Sequence, residues 1–335
     1  MTVLPSHPCA SASGSRSAGT PPGRGPTVRA VRSGVLLMVL AVTLSALGVG
    51  CGDGTETTSD AEVEPSGFGN EVTMPIAAAV ANLVTPGDDP RAPLRPDVPP
   101  GTSQQVTLHT EHHVEQQIND KDAGDFSPPA VTIPLTAHTD RGGVDLTLGA
   151  ATSTDPALAQ QLLSADGSHA AFQTSDDGTI TWLRLTTTPT TPDGARAALE
   201  RAFTQAVYHS LAFPAEPVGT GAVWTVHQQV SGDIQPSEVN QVTTARLVGR
   251  SGDVLTIALD ITQTPKSPAW RLPNNAGSLD IVDYSVHGTG TITVDLGLPM
   301  PIAGALDIGG HLTYREPRSD VLLRQDIGTR LQWDS

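Results

Sequence analysis

The stretch Val106–Ile118 reads VTLHTEHHVEQQI, and its pattern decides the fold. Apolar residues stand at positions 106, 108, 114 and 118. Between them come polar side chains that share the opposite parity: His109, Glu111, His113 and Glu115. Because successive side chains of a strand point to opposite faces, this period of two predicts a strand with one apolar and one polar face.

The same alternation returns along most of the chain, for example in Val131–Ala137, Val144–Leu148 and Leu255–Ile261. Short polar turns such as Asp176–Gly178 and Ser251–Asp253 separate neighbouring segments, and such short connections join antiparallel strands. The 28 Pro and 33 Gly are typical of a turn-rich chain. We therefore predict a curved antiparallel sheet or half-barrel of about eleven strands.

Two segments interrupt the alternation with a helical period. Asp155 and Pro156 predict a helix that ends near Ala165, because Asp caps helix starts and Pro is tolerated in the first turn. Thr191 and Pro192 predict the start of a second, longer helix. Its apolar stripe includes Leu199, Phe203, Val207 and Leu211. This stripe is expected to pack on the apolar face of the sheet, which makes the fold mostly β with two helices (α+β).

The charge of the chain changes sign near residue 50. Residues 1–50 contain four Arg and no acidic residue, although the whole chain has a net charge of −16. The uncharged, largely apolar stretch Gly34–Gly50 follows this basic region, so residues 1–50 are predicted to be a signal region. Its long leading part suggests Val28 or Val31 as an alternative translation start. The chain that follows the signal region is acidic, which argues against binding of nucleic acid, because that requires a basic surface.

Cys51 follows the apolar segment directly, with the small residue Gly50 before it. This arrangement resembles a bacterial lipobox, in which the Cys receives a diacylglyceryl group and becomes the new N-terminus. The resemblance implies that Cys51 is a lipid-attachment site and that the protein lies on the extracytoplasmic face of the cell membrane. An uncleaved N-terminal anchor is the alternative. The second cysteine, Cys9, lies upstream of the cleavage point, so the mature chain would form no internal disulfide.

The remaining chain divides into a tether and a domain. Residues 51–100 are acidic and then Pro-rich, which predicts a disordered tether. Within it, Pro75–Val84 (PIAAAVANLV) is a possible short helix that would pack on the domain or cover a cavity. Residues 101–335 are predicted to form a single β-rich domain.

Three outward-facing residues of the first strand are candidate metal ligands: His109, Glu111 and His113. Neighbours two apart on a strand lie about 6.5–7 Å apart, so a pair of them can share one ion, with the remaining ligands coming from other strands. The alternative is a solvated polar face. The chain has no nucleophile elbow, no Ser-x-x-Lys set and no Gly-rich phosphate loop, so neither an enzyme nor a cofactor is predicted.

One local motif lies between the second helix and the next strand. Phe213–Trp224 reads FPAEPVGTGAVW and contains Pro214, Pro217, Gly221 and Trp224 in a Pro-x-x-Pro-Val-x-x-Gly-x-x-Trp pattern. The pattern resembles a motif of an uncharacterised family of secreted bacterial, actinobacterial-type lipoproteins, and this resemblance implies no catalytic residue. A structural role is expected, because prolines stiffen the chain, glycine permits a turn and tryptophan fills space between sheet and helix.

The overall plan also resembles the half-barrel lipid-carrier lipoproteins of the LolA type, and this resemblance implies a cavity for acyl chains. The leading hypothesis is therefore an exported, membrane-anchored protein that binds a hydrophobic ligand such as a lipid without enzymatic activity. An envelope interaction or structural module with no small ligand is the alternative. A secreted hydrolase is the third hypothesis.

Overall fold

The alternating segments form antiparallel strands of a single sheet. The computed structural model describes residues 69–140, 143–231, 238–272 and 276–335, all of which fall within one compact unit. Sixteen strands and two α-helices form among these residues. The strands are β1 (Glu71–Pro75), β2 (Val80–Thr85), β3 (Ser103–Ile118), β4 (Gly124–Asp125), β5 (Val131–Asp140), β6 (Gly143–Leu148), β7 (Thr152–Ser153), β8 (His169–Thr174), β9 (Ile180–Thr186), β10 (Val223–Val230), β11 (Val239–Ser251), β12 (Val254–Pro265), β13 (Ala269–Arg271), β14 (Ser278–Asp295), β15 (Ala303–Arg315) and β16 (Leu322–Asp334). The helices are α1 (Pro156–Leu162) and α2 (Asp193–Tyr208).

The prediction of a mostly β fold with two helices is confirmed, but the predicted strand count of about eleven is too low. Three of the additional strands, β4, β7 and β13, have only two or three residues, too few to show a period of two. The other two, β1 and β2, lie within the segment predicted to be a tether.

The order of the strands shows how the sheet curves. The main path runs β1-β9-β8-β6-β5-β3-β16-β15-β14-β12-β11-β10-β2, so β1 and β2 are the two edges. These thirteen strands would span about 55–60 Å if they lay flat. The two edges are nevertheless joined by only four residues, Ile76–Ala79, whose reach is about 17 Å. The sheet must therefore curl until its edges come close together.

The two edge strands form one continuous segment, Glu71–Thr85, which we call the closing segment. Because all neighbouring strands on the path are antiparallel and twelve steps separate the edges, β1 and β2 run in the same direction. The first half of the closing segment pairs with β9, and the second half pairs with β10. β1 and β2 do not pair with each other, so hydrogen bonds do not close the sheet.

This result corrects the prediction of a helix at Pro75–Val84 and of a disordered tether that continues to residue 100. Alanine-rich sequence favours a helix locally, but pairing with two separate strands decides its conformation here. Leu83 lies opposite Trp224, and Met74 lies opposite Leu183. Of the predicted tether, residues 51–68 lie outside the described residues.

Both predicted helices are present, and their first and last residues lie close to the predicted ones. The Oδ1 atom of Asp155 accepts a hydrogen bond from the backbone N–H of Leu158 at 2.7 Å, and a short 3-10 turn extends α1 to Ala165. The apolar stripe of α2 is buried along its length, with Leu199 fully inaccessible and Phe203 nearly so. α2 therefore packs inside the concave face of the sheet.

Buried glutamines attach the closing segment and α2 to the strands. The side-chain amide of Gln228 donates to the carbonyl oxygen of Ala77 at 2.9 Å. The amide of Gln241 donates to the carbonyl oxygen of Tyr208, the last residue of α2, at 3.2 Å. Gln263 in turn donates to Oε1 of Gln241 at 2.9 Å. An unpaired buried polar group is costly. These bonds therefore fix the four-residue link Ile76–Ala79 and the C-terminal end of α2 in register with the sheet.

The outer face of the sheet is polar and the inner face is mostly apolar. On β3, for example, Glu111 and His113 are exposed while Leu108 and Val114 are buried. Across the described ranges, neither helix has the length and apolarity needed to cross a membrane.

We expect Leu199→Ala to lower the free energy of unfolding by about 2–5 kcal/mol, because it leaves a cavity between α2 and the sheet. Val248→Ala is the control, since Val248 is 46% exposed on β11 and its truncation should change stability by about 0.5 kcal/mol or less. Urea unfolding of both variants measures the difference. Equal midpoints would contradict the packing of α2 described above.

Candidate functional site

An apolar cavity of about 320 Å³ lies between α2 and the concave face of the sheet. Its walls come from the C-terminal half of α2, from β6, β8 and β9, and from the end of β14, the turn that follows it and Trp333 of β16. The apolar side chains that line it include Val144, Leu146, Phe172, Ile180, Leu183, Phe203, Val207, Leu211, Ile292, Leu296, Met300 and Trp333. Clefts that bind small molecules have volumes of about 300–1,000 Å³ and largely apolar walls, so this cavity is at the small end of that range.

The Pro-rich segment Pro86–Gly101, which we call the crossing segment, borders the cavity. It runs from β2 to β3 and therefore connects strands that lie far apart in the sheet order. Leu94 is buried, Pro96 and Val98 line the cavity, and the backbone N–H of Asp97 donates to the carbonyl oxygen of Leu296 at 2.8 Å. Residues that the sequence suggested to be a free spacer thus form one wall of the cavity.

The turn between β14 and β15 lies beside the crossing segment and is held in place by Gln104 of β3. The Nε2 atom of Gln104 donates to the carbonyl oxygen of Met300 at 3.1 Å, and the backbone N–H of Met300 donates to Oε1 of Gln104 at 3.0 Å. Both residues are buried. This pair of bonds fixes the backbone of Met300, and with it the turn, in the cavity wall.

Three titratable residues among those described line the cavity, Asp140, Asp295 and His209, and His209 is half-buried. It follows α2 directly, and its Nδ1 lies 2.7 Å from the carbonyl oxygen of Gln205. Its Nε2 is inaccessible to water and has no hydrogen-bond partner among the described residues. Burial lowers the pKa of His209 to about 4, although the bond to Gln205 acts in the opposite direction. The ring is therefore neutral at pH 7.

A second histidine with a lowered pKa lies on β3 and is buried. His112 is 5% exposed, and its Nδ1 lies 3.1 Å from the hydroxyl oxygen of Thr329 on β16. Burial lowers the pKa of His112 to about 4, and the charge of Arg201 and that of His209 when protonated act in the same direction. The interior thus disfavours any additional positive charge.

The sequence analysis missed His112 and the half-buried His209, because it assigned only apolar residues to the interior. His112 has the parity of the inward positions 108 and 114 on β3, and His209 lies three residues beyond Ala206 on the inward stripe of α2. The strand and helix periods therefore place both histidines at inward positions. They were passed over because inward positions were identified from apolar side chains.

The candidate metal ligands His109, Glu111 and His113 lie on the outer face of β3. The Nδ1 atom of His109 lies 2.9 Å from the hydroxyl oxygen of Thr132, and its Nε2 lies 3.2 Å from a carboxylate oxygen of Asp334. Nowhere in the described part of the chain do three His, Cys, Asp or Glu side chains come together as a metal site. His109 is therefore held on the outer face of β3 by Thr132 and Asp334, and among the described residues no set of ligands converges there.

The motif residues lie where α2 leads into β10. Pro214 and Trp224 are buried, Pro217 is exposed, and Gly221 adopts a positive φ of 83°. The indole N–H of Trp224 donates to the carbonyl oxygen of Ala212 at 3.0 Å. These contacts join the helix exit to the sheet.

Gly219, which lies between Pro217 and Gly221 of the motif, packs tightly against the crossing segment. The sequence pattern did not single out this glycine. A Cβ atom added to Gly219 would lie 1.7 Å from the carbonyl oxygen of Asp88. Ala92 and Val218 exchange backbone hydrogen bonds of 3.0 Å beside it. The motif therefore holds the start of the crossing segment, and through it one wall of the cavity.

The predicted lipid-attachment residue Cys51 and the signal region, including Val28 and Val31, lie outside the described residues.

Comparison with known proteins assigns no family to the chain. No protein-family model matches it, and no curated protein matches it. A solved structure of OmpT, an outer membrane protein of Vibrio cholerae in its in-vitro folded trimer form, shows 9% identity over 70% of this chain and 100% of that chain, with a TM-score of 0.19. The loop L8 deletion mutant of OmpT shows 11% identity over 69% and 99%, with a TM-score of 0.15. Likenesses with such low TM-scores carry no argument about this protein.

The lowered pKa values of His112 and His209 predict that the protein loses stability in mild acid. In the unfolded chain a histidine has a pKa near 6.5, whereas both folded-state values are about 4. Between these values the unfolded chain binds protons that the folded chain does not bind, so the free energy of unfolding falls as the pH falls. From pH 7 to pH 5 the expected loss is about 2 kcal/mol for each histidine.

Urea unfolding at both pH values measures this loss. His209→Gln should remove about half of the pH dependence, because one of the two titrating groups is gone. His138→Gln, at an exposed position on β5, should keep the wild-type profile. A His209→Gln variant with an unchanged pH profile would disprove the assignment.

Proposed function

We propose that this protein binds a hydrophobic ligand in the cavity between α2 and the sheet, without enzymatic activity. The observation that carries the proposal is the cavity itself, whose apolar walls are held by hydrogen bonds from both the crossing segment and the β14–β15 turn. Burial of apolar surface drives such binding, at about 25 cal/mol for each Å².

The size of the cavity limits the ligand. An apolar cavity of about 150 Å³ takes up one benzene molecule. The cavity of about 320 Å³ found here therefore suits a ligand of roughly twice that size, such as one short acyl or alkyl chain. A complete two-chain lipid would need a larger cavity than this one.

A substitution that fills the cavity tests the proposal. Ala206 lines the cavity on α2, so Ala206→Phe should place a ring where the ligand lies. We expect the Kd for the apolar fluorophore N-phenyl-1-naphthylamine to rise at least about tenfold, because loss of about 60 Å² of apolar contact costs about 1.5 kcal/mol.

The matched control is Ala197→Phe, which adds the same ring at an exposed position of the same helix. It should leave the Kd unchanged. Fluorescence titration of wild type and both variants gives the comparison. Equal weakening by the two variants, or no binding to the wild type, would reject the cavity as the binding site.

We further propose that the protein is an exported lipoprotein held on the extracytoplasmic face of the cell membrane through Cys51. The basic, apolar and small-residue order before Cys51 supports this placement. A lipid anchor would keep the cavity close to a source of acyl chains.

Replacement of Cys51 tests the anchor. In a bacterial host that processes lipoproteins, the wild type should be recovered with the membranes, and Cys51→Ala should lose the diacylglyceryl mass and shift toward the soluble extracytoplasmic fraction. Cys9→Ala is the control and should not change the distribution, since Cys9 lies upstream of the predicted cleavage point. An unmodified Cys51 in the mass spectrum would refute the anchor while leaving the cavity proposal intact.

A further inference from the structure

The charged side chains in the described wall of the apolar cavity are both carboxylates. Asp140 ends β5 and Asp295 ends β14, and both residues line the cavity. Among the described residues, the lining contains no Lys or Arg, and His209 is neutral at pH 7. Arg141, which follows Asp140, lies outside the described residues. The described wall therefore offers negative charge and no positive charge to a bound molecule.

The crossing segment brings the two carboxylates to the same end of the cavity. It donates a backbone N–H from Asp97 to the carbonyl oxygen of Leu296, the residue after one carboxylate, at 2.8 Å. It donates a second N–H from Gly101 to the carbonyl oxygen of Thr139, the residue before the other carboxylate, at 2.7 Å. The two donors are four residues apart, a reach of about 14 Å at most. Both carboxylates therefore lie at the end of the cavity that the crossing segment borders.

Asp295 is placed where a bound molecule can reach it. Its side chain belongs to the cavity wall but is only half-buried, so it remains accessible. Its Oδ1 atom accepts a hydrogen bond from the backbone N–H of Gly297 at 2.9 Å, which restrains the carboxylate. No Lys, Arg or His of the described ranges forms an ion pair with it. Because a carboxylate has about four acceptor positions, Asp295 can accept further hydrogen bonds from the cavity side.

We propose that the ligand is a cationic amphiphile, namely an alkyl chain with a primary ammonium head group. The chain occupies the apolar part of the cavity, and the ammonium group donates to the carboxylate of Asp295, with Asp140 adding a second negative charge at the same end. This inference rests on the proposed function, because it assumes that the cavity binds an apolar chain. It adds the class of the head group and names Asp295 as the residue that selects it.

Other head groups fit this end of the cavity less well. A carboxylate head group would place a third negative charge beside two others, and the described lining holds no cation to pair with it. A hydroxyl head group brings a single donor and no charge. An ammonium group brings three donors, and its hydrogen bonds to a carboxylate are stronger than those of a neutral group.

Three ligands with the same eight-carbon chain test the proposal: octylamine, 1-octanol and octanoate. At pH 7 the amine is protonated and the acid is ionised. A partly exposed ion pair changes an affinity by about threefold, and a like-charge contact does so in the opposite direction. We therefore expect octylamine to bind about threefold more tightly than octanol and about tenfold more tightly than octanoate. Displacement of N-phenyl-1-naphthylamine measures all three Kd values.

The salt dependence of wild-type binding is a readout that needs no variant. Raising the sodium chloride concentration from about 20 mM to about 500 mM screens partly exposed charges. The Kd of octylamine should rise and that of octanoate should fall, whereas the Kd of octanol should change little.

Asp295→Asn removes the negative charge and keeps an oxygen that can accept from Gly297. It should lower the preference for octylamine over octanoate at least about threefold, since one of the two charges is gone. Octanol should still bind with the wild-type Kd, which also shows that the variant is folded.

Asp253→Asn is the matched control. Asp253 is exposed, and its carbonyl oxygen accepts from the backbone N–H of Leu296 at 3.0 Å, so it lies beside the end of β14. Its side chain does not line the cavity. The control thus removes the same charge at the same end of the sheet, and it should keep the wild-type preference.

The possible results separate the two proposals. Octylamine that binds no more tightly than octanol or octanoate, or equal losses of preference in the two variants, would overturn this inference. The proposed function would stand as long as octanol or the fluorophore binds in the cavity. Failure of all three ligands and of the fluorophore to bind would overturn both proposals.

Discussion

The structure depends on one constraint, namely that the two edges of a wide sheet belong to a single short segment of chain. The closing segment Glu71–Thr85 pairs with β9 in its first half and with β10 in its second half. No flat arrangement of the thirteen strands on the main path satisfies both pairings, because the link Ile76–Ala79 is too short. The curvature, the enclosed interior and the polar outer face all follow from this connection.

The interior of such a curved sheet is too wide for side chains alone to fill. Side chains fill a ring of about eight strands, and the diameter grows with the number of strands. Here α2 enters the interior and buries its apolar stripe, but one helix leaves a cavity of about 320 Å³ at its C-terminal end. The crossing segment and the β14–β15 turn border what remains. The cavity is thus a consequence of strand number, and the side chains around it decide what it can hold.

The long strands and both helices were predictable because a pattern of a few neighbouring residues specifies each of them. Alternation identified the long strands, and the Asp155 cap and the stripe of α2 identified the helices. The closing segment was missed because PIAAAVANLV has no local sign of a strand, and its conformation comes from partners more than a hundred residues away. The crossing segment was missed for a similar reason: its Pro-rich composition is that of a spacer, and only its contacts with Val218 and Leu296 make it part of the wall.

Residue order alone established a mostly β chain with two helices, since periodicity and capping act over a few residues. It also pointed to an apolar interior and suggested an apolar ligand. Tertiary structure decided where the edges of the sheet meet the closing segment, how much space remains beside α2, and that His209 lines this space. The reason is physical: a cavity is the difference between the volume that distant strands enclose and the volume that side chains fill, and no local pattern contains that difference.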